Sequence, residues 1–317
     1  MPRRFAAGMG LVGIVTVLIV LVANATAPAV QVVRSIADVS EPGYVPAGAP
    51  LGMIGTDPGD PNDPWSAEAP PGGVIVQSPG PLASPGTSGT LRVPIPKNVP
   101  TGPRRVGIQA GHWKTDEAPP ELRWLIPQTG AAWEGITETE INLDIAQRVA
   151  VILNAKGIAV DVLPTIVPPG YIADAFISLH ADSDGVGERS GYKLAHSARR
   201  GPYEDRLLDD VKAAYGEATS LDYDAAHVSR NMIGYFAHSW TRYQHAVHPY
   251  TPAVILEMGY VSCDRDRALM LDEADRVASG IANGIVKFLN ETPRAQIFGK
   301  ELVVPGFPSR AVPSPRP

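Results

Sequence analysis

The sequence predicts an α/β fold with a mostly parallel, twisted sheet that carries helices on both faces. Two observations predict it: short apolar runs alternate with helical stretches over residues 104–291, and these runs are largely apolar rather than alternating between apolar and polar residues. A strand that is apolar at every position is buried on both faces, as in parallel sheets, and the intervening helices supply the covering layers. We therefore expect a single folded domain over this range.

The predicted elements follow from local patterns. A helix is expected over Thr137–Leu153, because its apolar residues recur at helical spacing and Lys156 and Gly157 end the pattern. Thr137 with Glu140 three residues later has the spacing of a capping box. The other expected elements are strands at Arg105–Gln109, Ile158–Leu163, Ala175–Leu179 and Ala253–Leu256, and helices at Glu204–Ala218 and Asp272–Leu289.

The segments that flank this domain differ from it in composition. Residues 34–103 are expected to be a disordered linker, because the part from 41 to 103 alone holds 15 prolines and 11 glycines. Residues 292–317 form the predicted C-terminal tail, which is rich in proline from Pro305 onward.

The N-terminal segment, residues 1–33, has the pattern of an export signal. Arg3 and Arg4 precede an uncharged stretch whose centre, Leu11–Val22, is almost purely aliphatic. Small residues that follow offer cleavage sites, but the whole apolar run, 5–23, has 19 residues and is long enough to span a bilayer. The sequence predicts export and leaves open whether this segment is a cleaved signal peptide or a retained membrane anchor.

The net charge argues against a nucleic-acid partner, and the cysteine content limits the kinds of covalent link and metal site. The formal net charge is −6 and no long run of lysine or arginine occurs, which argues against a nucleic-acid partner. Cys263 is the only cysteine, so neither an intramolecular disulfide nor a four-cysteine zinc site can form. A metal ion would have to be held mainly by histidine and carboxylate side chains.

Three polar residues stand at or just after the carboxyl ends of predicted strands. His112 follows the first strand, His180 closes the strand that begins at Ala175, and Glu257 closes the last one. In an open α/β sheet, ligands bind outside the carboxyl ends of the strands, so these side chains are expected to share one site. Two histidines and one carboxylate are a common ligand set of catalytic zinc.

Three glutamates near the start of the predicted helix compete for the role of carboxylate ligand. Glu138 shares a helix face with the apolar residues and so points inward, whereas Glu140 lies about 200° away and is expected to be a solvated capping residue. The pattern does not place Glu134, which precedes the helix. We therefore expect Zn²⁺ to be held by His112, Glu138 and His180.

Glu257 then has no ligand role. A carboxylate at the end of a buried strand is unfavourable unless it is paired or functional. Beside a metal ion it could take a proton from the attacking water and deliver it to a leaving amine. The competing interpretation is a buried ion pair with an arginine.

Residues 104–291 resemble the zinc-dependent N-acetylmuramoyl-L-alanine amidases, which cleave stem peptides from the glycan of peptidoglycan. Four motifs carry the resemblance in the order of the family. They are Gln109–His112, which is similar to Asp-Ala-Gly-His, Glu138 ahead of Asn142–Ala146, Ser178–Asp182 around the third ligand, and Pro252–Tyr260 around the catalytic glutamate. The resemblance implies the same roles: His112, Glu138 and His180 as zinc ligands and Glu257 as the catalytic residue.

Several features depart from the family pattern. Trp113 replaces the usual second glycine after the first histidine, where it is expected to narrow or line the cleft. The helix that links the second strand to the histidine-bearing strand is missing, since only Pro164–Ala173 lies there. Segment 198–249, with four histidines and several aromatic residues, has no counterpart. Its histidines are interpreted as surface or core residues rather than as a second metal site.

The sequence thus predicts an exported zinc amidase that hydrolyses the amide bond between N-acetylmuramic acid and L-alanine in peptidoglycan. It would act outside the cytoplasm, at the cell wall or anchored to the membrane through an uncleaved N-terminal segment. Two alternatives stay open. One is a zinc amidohydrolase or peptidase with another amide substrate, and the other is a wall-binding module that has lost turnover, against which the retention of all four site residues argues.

Overall fold

The computed structural model describes residues 84–85, 90–199 and 201–305. The predicted signal or anchor, residues 1–33, and most of the predicted linker lie outside the described residues. In the described ranges no helix is both long enough and apolar enough to cross a membrane.

The described chain alternates strands and helices. The strands are β1 (Ser84–Pro85), β2 (Thr90–Val93), β3 (Arg105–Ala110), β4 (Ala132–Trp133), β5 (Ile136–Thr137), β6 (Ala159–Leu163), β7 (Ala175–Asp182), β8 (Lys193–Ala195), β9 (Ala253–Tyr260) and β10 (Leu302–Pro305). The α-helices are α1 (Glu138–Ala155), α2 (Glu204–Thr219), α3 (Arg230–Ile233), α4 (Asp264–Asp272), α5 (Ala274–Glu291) and α6 (Arg294–Phe298). The helix predicted over Asp272–Leu289 corresponds to α5, whereas α4, which ends at Asp272, was not predicted.

The central sheet has five strands in the order β6-β3-β7-β9-β8. Its first four strands are parallel, and β8 joins the edge antiparallel to β9. This arrangement confirms the predicted mostly parallel α/β fold. Strands β6 and β7 follow each other in sequence but both pair with β3, so the short connection between them crosses β3 without a helix.

The two faces of the sheet are covered differently. Helix α1 packs on β3, β6 and β7, helices α2 and α4 pack on β9, and α5 packs against α1 and α2. The opposite face is covered by the short helix at Pro120–Leu125 and by the segment around α3. Because side chains alternate along a strand, Ile177 and Leu179 of β7 pack in the core on the long-helix side, whereas Phe176 packs in the core on the short-helix side.

The folded part extends beyond the predicted domain boundaries at both ends. Strand β2 lies inside the predicted linker, and α6 and β10 lie inside the predicted tail. β2 pairs antiparallel with β10, and Val93 and Val304 are buried in the main core. Neither strand was predicted, because Pro94 follows β2 directly and Pro305 ends β10. Prolines are tolerated at strand ends, where no ladder hydrogen bond is lost.

Candidate metal centre and catalytic cleft

Strand register brings four polar side chains together on one face of the sheet. Gln109 of β3 lies opposite Ser178 of β7, and His180 of β7 lies opposite Glu257 of β9. Ser178 and His180 are two residues apart and so share the face of Phe176, which the short helices cover. The parallel register therefore places these groups near the carboxyl ends of neighbouring strands.

Two glycines make room for the ligand side chains. A Cβ atom on Gly111 would collide with the ring of His180. Gly130 has a φ of 83°, and a Cβ atom there would lie 2.9 Å from both Glu138 Oε2 and His112 Cγ. Glycine is required at position 130 for its backbone angle as well as for space. Any larger residue at either position would push the ligand side chains apart.

The structure brings His112, Glu138 and His180 together, with their ligand atoms within 4.8 Å of one another. Glu138 Oε1 lies 3.4 Å from His112 Nε2 and 3.0 Å from His180 Nδ1. Tetrahedral zinc with ligands at about 2.0–2.1 Å keeps its ligand atoms about 3.3 Å apart. The two measured separations are close to that value.

The partner of the His112 ring turns the second ring nitrogen towards the centre. His112 Nδ1 lies 2.7 Å from the carbonyl oxygen of Gln128, which can only accept, so Nδ1 carries the hydrogen. His112 Nε2 is buried and has no hydrogen-bond partner among the described residues. A buried nitrogen without a partner beside a carboxylate oxygen would be satisfied by a cation, so the residues present fit a metal ion.

Glu138 is the first residue of α1 and its carboxylate is held by three donors. The backbone N–H of Ala131 donates to Oε2 at 2.8 Å, and that of Ala181 donates to Oε1 at 3.2 Å. Asn142, one turn along the helix, also donates to Oε1 at 3.2 Å and uses the same amide nitrogen to reach the Gly111 carbonyl at 3.1 Å. These hydrogen bonds fix the Glu138 carboxylate near the carboxyl ends of the central strands.

The pKa values of His112, Glu138 and His180 depend on their burial and on the short distances between their side chains. Burial lowers the pKa of His112, but the attraction of Glu138 outweighs it and raises that pKa to about 9. Burial likewise opposes ionisation of Glu138, but His112 and His180 hold its pKa well below the ordinary value. Burial also lowers the pKa of His180. Without metal, His112 is therefore the protonated partner of Glu138, and a metal ion would displace that proton.

Glu257 lies beside the three ligand candidates and is only 6% exposed. Its Oε2 atom has no hydrogen-bond partner within the described chain. Burial raises the pKa of Glu257 well above its usual value, and nearby Asp182 raises it further, while Lys193 opposes both. Lys193 lies opposite Glu257 in register and pairs with Asp182. Among the described ion pairs none joins Glu257 to an arginine.

A cavity opens next to these residues. His112, His180 and Glu257 face it together with Tyr235. Much of the wall is apolar and comes from the short helix at Pro120–Leu125 and the segment around α3, which together form the short-helix layer. The apolar residues are Trp124, Leu125, Met232 and Phe236. Trp113 was expected to shape the cleft, but it packs against the main core instead.

The structure separates the three competing glutamates. Glu138 is buried, while Glu140 accepts the backbone N–H of Thr137 in the capping box. Glu134 pairs with Arg267 outside the cluster. Asn142 and Tyr235 carry contacts that the sequence reasoning did not assign. The spacing of four between Glu138 and Asn142 is a signal for the first, but no local pattern marks Tyr235, which lies 55 residues from His180.

Residues 170–287 match the model of a protein family described as N-acetylmuramoyl-L-alanine amidase. The matched segment contains His180 and Glu257, while His112 and Glu138 precede it. No curated protein matches the chain.

Solved structures of similar fold include three enzymes of that name. The amidase AmiC2 of Nostoc punctiforme is 20% identical, with a TM-score of 0.43, and the match covers 60% of this chain and 99% of that one. The catalytic domain of CwlV from Bacillus (Paenibacillus) polymyxa var. colistinus is 22% identical, with a TM-score of 0.41 and coverages of 59% and 98%. Ami1 from Mycobacterium smegmatis is 17% identical, with a TM-score of 0.42 and coverages of 59% and 97%.

Proposed function

We propose that this chain, whose residues 170–287 match the model of the N-acetylmuramoyl-L-alanine amidase family, hydrolyses the amide bond between N-acetylmuramic acid and L-alanine in peptidoglycan. The observation that carries the proposal is the convergence of His112, Glu138 and His180 beside the buried carboxyl group of Glu257. In this proposal the first three residues hold one Zn²⁺ ion. When bound, zinc supplies Lewis acidity that polarises the scissile carbonyl group.

In this mechanism Glu257 acts first as general base and then as general acid. It faces the same cavity as His112 and His180, and its Oε2 atom is not engaged by another described residue. The carboxylate takes a proton from the attacking water and then gives that proton to the nitrogen of the leaving amine. The fixed ligand side chains keep the reacting carbonyl group within reach of this carboxylate.

We also propose that the enzyme acts outside the cytoplasm, at the cell wall. The support is the basic and then apolar pattern of residues 1–33, together with the location of peptidoglycan. A retained segment would hold the enzyme at the membrane, and a cleaved one would release it.

Digestion of purified sacculi tests the substrate. The wild-type chain should release free stem peptides that begin with L-alanine, identified by mass spectrometry. Glu257→Gln should release none at the same zinc content, because the proton-transfer group is lost. Release of stem peptides by this variant at the wild-type rate would contradict the mechanism.

The apolar wall of the cavity favours one alternative, an amidohydrolase whose substrate carries an apolar group beside the amide. A second assay with small acyl amides as substrates tests this candidate. Zinc-dependent cleavage of these amides, together with sacculi that stay undigested, would support it.

A further inference from the structure

The phenol group of Tyr235 lies at the centre of a buried hydrogen-bond cluster behind the metal centre. Its oxygen is 3.1 Å from His180 Nε2, 2.9 Å from Gln109 Oε1 and 3.2 Å from Ser178 Oγ. Tyr235 is only 5% exposed, and its ring meets that of His180 edge to face with the centroids 5.4 Å apart. The cluster therefore contacts the ring nitrogen of His180 that points away from Glu138.

The direction of these hydrogen bonds follows from which groups can only accept. Gln109 donates its side-chain amide to the carbonyl oxygen of Thr165, which turns its own carbonyl oxygen Oε1 towards Tyr235. Oε1 can only accept, so the one hydroxyl hydrogen of Tyr235 goes to Gln109. The phenol oxygen is then left as an acceptor for His180 Nε2, which must carry the ring hydrogen.

We infer that Gln109 and Tyr235 act as positioning residues that fix the tautomer of His180. With the hydrogen on Nε2, the lone pair of Nδ1 faces Glu138 Oε1 at 3.0 Å and is available to a metal ion. Residues behind a metal ligand commonly set its tautomer and ring orientation in this way. The inference rests on the proposed metal site and assigns a role to two residues beyond its ligands.

The two ligand histidines are thus oriented by different parts of the chain. His112 is held by the backbone carbonyl of Gln128 and presents Nε2, whereas His180 is held by a side chain from the segment between β8 and β9 and presents Nδ1. That side chain also lines the cavity beside the metal centre. Displacement of Tyr235 would therefore loosen a ligand without touching the metal itself.

Zinc affinity of the full chain, measured by competition with a chromogenic chelator, tests the inference. Tyr235→Phe removes one oxygen atom and should weaken zinc binding about 10- to 100-fold. Ser178→Ala leaves the bonds of Tyr235 to Gln109 and His180 in place and should bind zinc as the wild type does. Tyr250→Phe is the matched control, because its hydroxyl group lies within hydrogen-bond distance of the Val93 and Lys300 carbonyl oxygens, away from the centre. Unchanged affinity in Tyr235→Phe would overturn the inference.

A second measurement needs no variant. Two-bond ¹H–¹⁵N correlation spectra of the zinc-bound wild-type chain should show His180 protonated on Nε2 and not on Nδ1. A hydrogen on Nδ1 would overturn the inference even if zinc binds. Failure of the wild type to bind zinc would instead contradict the proposed function, whereas wild-type zinc binding together with an unchanged affinity of Tyr235→Phe would overturn this inference alone.

Discussion

The carboxyl group of Glu257 is buried in β9, and one of its oxygens has no hydrogen-bond partner among the described residues. Its ionised form is therefore poorly solvated, and the folded protein holds its pKa well above the usual value. A carboxyl group with this shift lowers stability once the pH exceeds its unfolded pKa, because the unfolded chain then releases the proton more readily than the folded chain. The ionised carboxylate that the proposed reaction needs is thus the form that lowers the stability of the fold.

We predict that Glu257→Gln increases the free energy of unfolding of the metal-free protein at pH 7 to 8. The variant removes an ionisable group whose charge is disfavoured in the fold but keeps its shape. Chemical denaturation in the presence of a chelator measures the effect, since a bound cation beside the carboxylate would stabilise its charged form. Near pH 4 the difference should shrink, because the carboxyl group is then largely neutral in both states. A less stable variant at pH 8 would contradict the predicted direction.

Helix α1 places the carboxylate ligand, and its start is specified locally. The Thr137 side chain accepts the backbone N–H of Glu140, and the Glu140 side chain accepts the backbone N–H of Thr137. Glu138 lies between them as the first helical residue. The cap that begins the helix therefore also orders Glu138, the proposed metal ligand.

We predict that Thr137→Ala lowers the free energy of unfolding by about 1 kcal/mol, the usual cost of losing such a cap. Glu140→Ala should have a smaller effect, and the double variant should lose less than the sum, because both changes break one reciprocal motif. Gln147→Ala is the control, as it changes an exposed position of the same helix and should stay within about 0.5 kcal/mol. Additive losses measured by urea unfolding would contradict the coupling.

Elements with a long, regular pattern could be predicted from the sequence. Helix phase distinguished Glu138 from Glu140, and the ends of apolar runs predicted that His180 and Glu257 stand at one edge of a sheet. Strand β8 was not predicted, because three residues are too few for a period to show. It nevertheless brings Lys193 opposite Glu257.

The arrangement of the whole molecule depends on contacts that leave no local signal. The position of β3 between β6 and β7 in the central sheet is one such contact. The pairing of β2 with β10 in a separate small sheet, across about 210 residues of chain, is another. Tyr235 reaches His180 for the same reason: the short-helix layer must cover the sheet face from which His180 projects. Sequence alone could therefore predict that His112, Glu138 and His180 lie together but not that Tyr235 contacts His180.

Metal analysis of the purified full chain tests the central claim most directly. We predict about one zinc ion per wild-type chain, retention of that ion in Glu257→Gln, and its loss in His112→Ala and His180→Ala, because each histidine is one of the three proposed ligands. Zinc content in the two histidine variants equal to that of the wild type, at matched protein concentration, would contradict the account.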